Sequence, residues 1–104
     1  MKLLTAEIIK KLPALGSQDG KDSKTVPIII KFFHAYTNWV HYVLEGSKTP
    51  EGDWEFFGLV RGLENELGYF TLSELESVKI HGLGIERDMY FGNHTLAEAM
   101  EKRI

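Results

Sequence analysis

The stretch that decides the fold is WVHYVLEGSKTPEGDWEFFGLV, Trp39 to Val60. Two runs rich in β-branched and aromatic residues, Trp39-Val40-His41-Tyr42-Val43-Leu44 and Trp54-Glu55-Phe56-Phe57-Gly58-Leu59-Val60, flank a turn-like GSKTPEG. The runs suit a pleated, half-buried surface, and the polar link from Gly46 to Gly52 suits a hairpin. Upstream, Ile28-Ile29-Ile30 leads into Phe32-Phe33, with Pro27 placed where a strand begins. Consecutive antiparallel strands are therefore expected over residues 26–34, 38–45 and 53–61. A shorter fourth strand is expected from Leu67 to Phe70, reached through Gly62 to Glu66.

Helix signals lie outside this block. Thr5 can cap a short helix with Glu7 near its positive end, Lys10 and Lys11 near its negative end, and Pro13 to stop it. Thr71-Leu72-Ser73-Glu74 has the spacing of a capping box, with Phe70 and Leu75 in the two staple positions around it. Thr95-Leu96-Ala97-Glu98 repeats the box. Between Gly16 and Thr25 there is no apolar side chain, which predicts a flexible loop. The segment Gly82 to Phe91 reads as irregular. The expected fold is α+β: about four strands in a mostly antiparallel meander with three short helices, as a single domain over residues 1–104.

Size and composition agree with one core. The chain has 104 residues, 43% of them hydrophobic and 12% aromatic, a globular mixture. The net charge of -3 lacks the basic excess of a nucleic-acid footprint. Without cysteine there is no disulfide, zinc-thiolate site or thiol catalysis. The opening Met1-Lys2-Leu3-Leu4 turns polar too soon for a signal peptide, and no apolar run reaches membrane-spanning length, so a cytoplasmic protein without membrane contact is expected. Gly16, Gly20 and Lys21 are spaced wrongly for a phosphate-binding loop, and Asp22 would repel phosphate where that motif needs Ser or Thr.

Pairing the strands gives two faces. A turn at Thr37-Asn38 sets His34 opposite His41, and Glu45 paired with Asp53 sets His41 opposite Phe57. One face then carries Ile28, Ile30, Phe32, His34, Trp39, His41, Val43, Phe57 and Leu59. The other carries Ile29, Phe33, Val40, Tyr42, Leu44, Trp54, Phe56 and Val60. Neither alternates apolar with polar, so both need cover. Three short helices leave part of an aromatic surface, among Trp39, Tyr42, Trp54 and Phe56, as the expected binding patch.

Four further groups bear on chemistry. His34 and His41 are weak candidates for zinc or nickel ligands, with Asp53 or Glu55 as a third, although zinc sites ordinarily use three or four. Glu64, Glu66, Glu74 and Glu76 form an acidic cluster, but without burial or coupling such carboxylates are solvated rather than catalytic. Arg87, in Glu86-Arg87-Asp88, is either a loop anchor or a binding residue. Trp39, His41, Phe32 and Phe57 would form a stacking platform for single-stranded nucleic acid, which the basic residues do not support.

Three blocks carry a family likeness: KLLTAEIIKKLPALGSQDGK from Lys2, WEFFGLVRGLENELGYFTLSELESV from Trp54 to Val78, and GIERDMYF from Gly84. With them the chain resembles a family of small bacterial proteins classed only as a domain of unknown function, frequent on plasmids, integrated elements and phages. The resemblance implies no catalytic residue and no cofactor; it implies cargo of mobile DNA with an accessory role. The sequence thus leads to a non-enzymatic accessory protein of mobile-element type that binds another protein or itself. The alternative is nucleic-acid binding or a metal-linked activity on the aromatic and histidine face.

Overall fold

The two runs around GSKTPEG form the centre of one antiparallel sheet. The structure, a computed structural model, describes residues 2–104, so Met1 of the amino-terminal stretch lies outside the described residues. In chain order come α1 (Ala6–Lys11), a 3-10 turn (Ser23–Thr25), β1 (Ile30–Phe33), β2 (Val40–Lys48), β3 (Trp54–Arg61) and β4 (Asn65–Thr71). They are followed by α2 (Leu72–Ser77), β5 (Lys79–Ile80), β6 (Leu83–Gly84), β7 (Glu86–Arg87) and α3 (Leu96–Glu101). The main sheet has five strands in the order β4-β3-β2-β1-β7, and every pairing in it is antiparallel. The fold is α+β, with a meander from β1 to β4 and three short helices. Its fifth strand, β7, comes from the segment whose sequence reads as irregular.

Several strand boundaries differ from expectation. The first strand begins at Ile30 rather than residue 26. Pro27 has no N–H for the ladder, and the chain there meets the start of α3 instead, through a Pro27–Thr95 bridge and Ile28 donating to the His94 carbonyl at 2.9 Å. The second strand runs on to Lys48, so its turn is confined to the residues around Thr49–Asp53, where Thr49 and Asp53 bond each other. The fourth strand starts at Asn65, not Leu67.

Register decides the faces. Phe32, not His34, stands opposite His41, a slip of two residues that keeps every side chain of this pair on its expected face. The second hairpin departs more deeply. Val43 pairs with Gly58 and Glu45 with Phe57, so Leu44 is the extra residue of a bulge. This shift moves Trp54, Phe56 and Val60 to the face of His41, and Phe57 and Leu59 to the face of Tyr42, the reverse of the expected assignment.

Each face has its own core. On the first, Ile30, Phe32, Val43, Phe56 and Phe70 pack with Leu3, Leu4 and Leu75 of α2. On the second, Val40, Tyr42, Leu44 and Leu59 pack with Val26, Ile28 and two residues of α3, Leu96 and Ala99. All three helices carry the predicted threonine caps, Thr5, Thr71 and Thr95. The full reciprocal box forms at Thr95 with Glu98; at Thr71, the last residue of β4, the box is one-sided, and Asp53 accepts from both the Ser73 amide and the Ser73 hydroxyl.

The glycine-rich stretch after Pro13 is tied down. Glu45 is almost fully buried, yet its two carboxylate oxygens accept the Gly16 amide at 2.8 Å and the Gln18 amide at 2.7 Å. The Ser47 hydroxyl accepts from the Leu15 amide, and Gly46 donates to the Pro13 carbonyl. A buried carboxylate is tolerable only with such partners.

Candidate functional site

The two histidines do not make a metal pair. His34 lies just beyond β1 and is buried, and its ring is spent on the fold. Its Nδ1 accepts from the Tyr36 amide at 3.1 Å, and its Nε2 lies 2.8 Å from the Leu83 carbonyl. Only a neutral ring with the proton on Nε2 satisfies both. His34 therefore orders the loop after β1 and ties it to the β5–β6 hairpin, whose two-residue turn His81-Gly82 has both φ angles positive. Among the described residues no group of three or more His, Asp or Glu is arranged to hold a metal.

His41 is a different case. Its ring stands edge-on to Phe70, with centroids 4.8 Å apart, and stacks at 27° to Trp39. Its Nδ1 is sealed from solvent with no hydrogen-bond partner, and burial pushes the imidazole down to a pKa of about 4. The ring is neutral near pH 7. It borders an apolar pocket of about 320 Å3, closed by Leu75 of α2, Val78 and Ile80 of β5.

The four aromatic residues expected at a binding patch separate. Tyr42 and Phe56 are fully buried in opposite cores, Tyr42 with its hydroxyl donating to the Ile104 carbonyl, so neither contributes surface. Trp54 is half-buried against the first core. Trp39 is 45% exposed at the mouth of the pocket, over Gly62. The nucleic-acid platform is not assembled: Phe32 is buried, and the bulge places Phe57 on the opposite face from Trp39 and His41.

Arg87 sits on β7 and donates to the Lys2 carbonyl at 2.5 Å, so it joins the last strand of the sheet to the chain's amino-terminal segment. Next to it, Asp88 forms an ion pair with Lys31 at 3.6 Å and its amide bonds the Lys31 carbonyl. These contacts tie β7 and the residue after it to the rest of the fold. Glu64, Glu66, Glu74 and Glu76 are all exposed.

The surface that the sequence reading passed over is β4. It is an outer strand of the sheet, paired among the described residues only with β3, in unbroken register from Glu55–Thr71 to Arg61–Asn65. On its second face Leu67 is 48% and Tyr69 67% exposed, with the Tyr69 ring against Phe57, and at the hairpin tip Leu63 is 96% exposed. α3 packs on β2 and on the 3-10 turn, its Ala99 carbonyl accepts from Arg61 of β3, and Leu96 shares a small cleft with Leu67. The signal was present in Leu63, Leu67 and Tyr69, but only the strand order shows that they border an open edge.

These features define a class: a small α+β domain whose sheet carries a core on each face, is open along one edge, and is hollowed by an apolar pocket beside α2. Among the described residues no helix is long and apolar enough to cross a membrane. The chain belongs to the family described as Protein of unknown function (DUF2958), whose pattern matches residues 3–102. No curated protein and no solved structure matches it.

Proposed function

We propose that this protein is a non-enzymatic binding module that accepts an extended segment of another protein along the edge of β4. The observation that carries this reading is how the two edges of the sheet differ. Exposed strand edges template pairing with other chains, and proteins blunt them with short strands, lysine, proline or bulges. At one edge β7 is two residues long, next to the Lys31–Asp88 pair. At the other, β4 has seven residues with no lysine, no proline and no bulge, and it presents Leu67 and Tyr69. Strand addition takes affinity from backbone bonds and specificity from alternate side chains.

The incoming strand has a definable chemistry. Its apolar residues lie beside Leu67 and Tyr69, and basic residues suit Glu64, just before the strand, and Glu66 within it. In the cytoplasm, as an accessory protein of a mobile element, the module would meet such a segment in a host factor.

The test is capture of a stoichiometric protein partner from a bacterial lysate on the wild-type chain and on a Leu67→Lys, Tyr69→Lys variant. The proposal expects a partner that the wild type retains and the variant loses. Equal retention by both, or retention of nucleic acid alone, contradicts it. Self-association that the variant abolishes would make a second copy the partner.

A further inference from the structure

We propose that the pocket between the sheet and α2 binds a small, neutral, planar aromatic compound that offers a hydrogen-bond acceptor to His41. The pocket lies on the first face of the sheet, away from Leu67 and Tyr69, and stands independently of the β4 reading.

Its volume of about 320 Å3 is at the small end of the range for ligand sites, roughly 300–1,000 Å3. Its walls are flat rings and branched aliphatic side chains: Trp39, His41 and Phe70 from the sheet side, then Leu75, Val78 and Ile80. Trp39, Glu74 and Ile80 are exposed, so the pocket reaches solvent along these residues. Flat walls of this kind favour a ring that stacks or packs edge-on.

His41 supplies the polar feature. Of the lining polar groups, His34 has both nitrogens engaged, and the Thr37 hydroxyl accepts from the Trp39 amide. Among the described residues the His41 ring has no hydrogen-bond partner, and its proximal nitrogen, Nδ1, is sealed from solvent. A buried bare acceptor is tolerated better than a buried orphan N–H, so the proton belongs on the distal Nε2, the ring nitrogen that is not sealed in this way. Burial also keeps the ring neutral near pH 7. A donor in an apolar pocket selects a ligand with an acceptor, such as an aryl carbonyl, and the desolvation that an apolar lining imposes disfavours a charged one. The Glu74 carboxylate on the pocket lining disfavours an anion.

The experiment titrates the full chain with benzamide, which carries a carbonyl acceptor, and with indole, a ring of similar size that offers only a donor. Ring resonances of His41 and the indole resonance of Trp39 are followed by NMR. The proposal expects saturable shifts with benzamide and binding about five-fold weaker with indole, the scale of one hydrogen bond. His41→Phe, which keeps a ring and removes the nitrogens, should bring the two probes to equal affinity. Ile80→Trp, at the mouth, should abolish both. No saturable shift with benzamide up to its solubility, or indole binding as tightly as benzamide to the wild type, overturns the proposal.

Discussion

Gly58 stands opposite Val43 at the bulge of β2, and the Tyr42 carbonyl oxygen occupies the place where a side chain on Gly58 would begin. The obstacle is backbone, which cannot swing aside as a side chain can. Gly58→Ala should therefore cost about 3 kcal/mol, at the upper end of ordinary overpacking. Gly68, its partner on β4, has open space where a Cβ would go. Gly68→Ala should cost less than about 1 kcal/mol. Urea unfolding of the two variants checks the contrast, and equal losses would mean that the bulge is elsewhere.

The helix caps give a second comparison. Thr71→Ala should cost about 1 kcal/mol, the usual value for a lost cap hydroxyl. From its terminal position, α3 would be expected to tolerate Thr95→Ala better, by fraying. The structure argues otherwise: Thr95 forms the full box with Glu98, bridges Pro27, and holds Leu96 and Ala99 in the second core. Thr95→Ala should cost at least as much as Thr71→Ala. Thermal melts of the pair decide it, and a negligible loss at Thr95 would contradict this account of α3.

His41 predicts acid sensitivity. The folded imidazole is held down at a pKa of about 4, against 6.5 for the free group, so between these values the unfolded chain binds more protons. Stability must then fall as pH drops from about 6.5 to 4, by an amount approaching 3 kcal/mol, with the penalty complete below that window. Asp53, held low by the Ser73 hydroxyl, and Glu98, held low by His94, act in the same direction. Their contributions are present above the ordinary carboxylate range and are lost as pH falls through their lowered values. Unfolding measured across the series should show the first loss flattened in His41→Phe. An unchanged slope there would assign it to other groups.

Much of the fold was legible because its signals are local. Thr5, Thr71 and Thr95 mark helix starts by spacing alone, and Trp54 to Val60 is recognisable as a strand by its residue types. The bulge at Leu44 was not legible, and the Glu45 carboxylate beside it binds the backbone of Gly16 and Gln18, residues far away in the chain. One added residue was enough to exchange Phe56 with Phe57 between faces, which is why the expected aromatic patch dissolves into two cores. β7 has two residues, too few to show a period. The edge of β4 and the pocket beside His41 depend on what lies next to a strand, and only the assembled sheet shows that.

The claim that β4 is a receiving edge has a direct test in amide hydrogen exchange, residue by residue, with and without the captured partner. Alone, the outward-facing amides among residues 65–71 should exchange fast while those bonded to β3 are protected, because an open edge leaves alternate groups to water. On binding, the fast set should become protected while the rest of the sheet changes little. Protection that appears elsewhere, with the outward amides of β4 still exchanging freely, would contradict the claim.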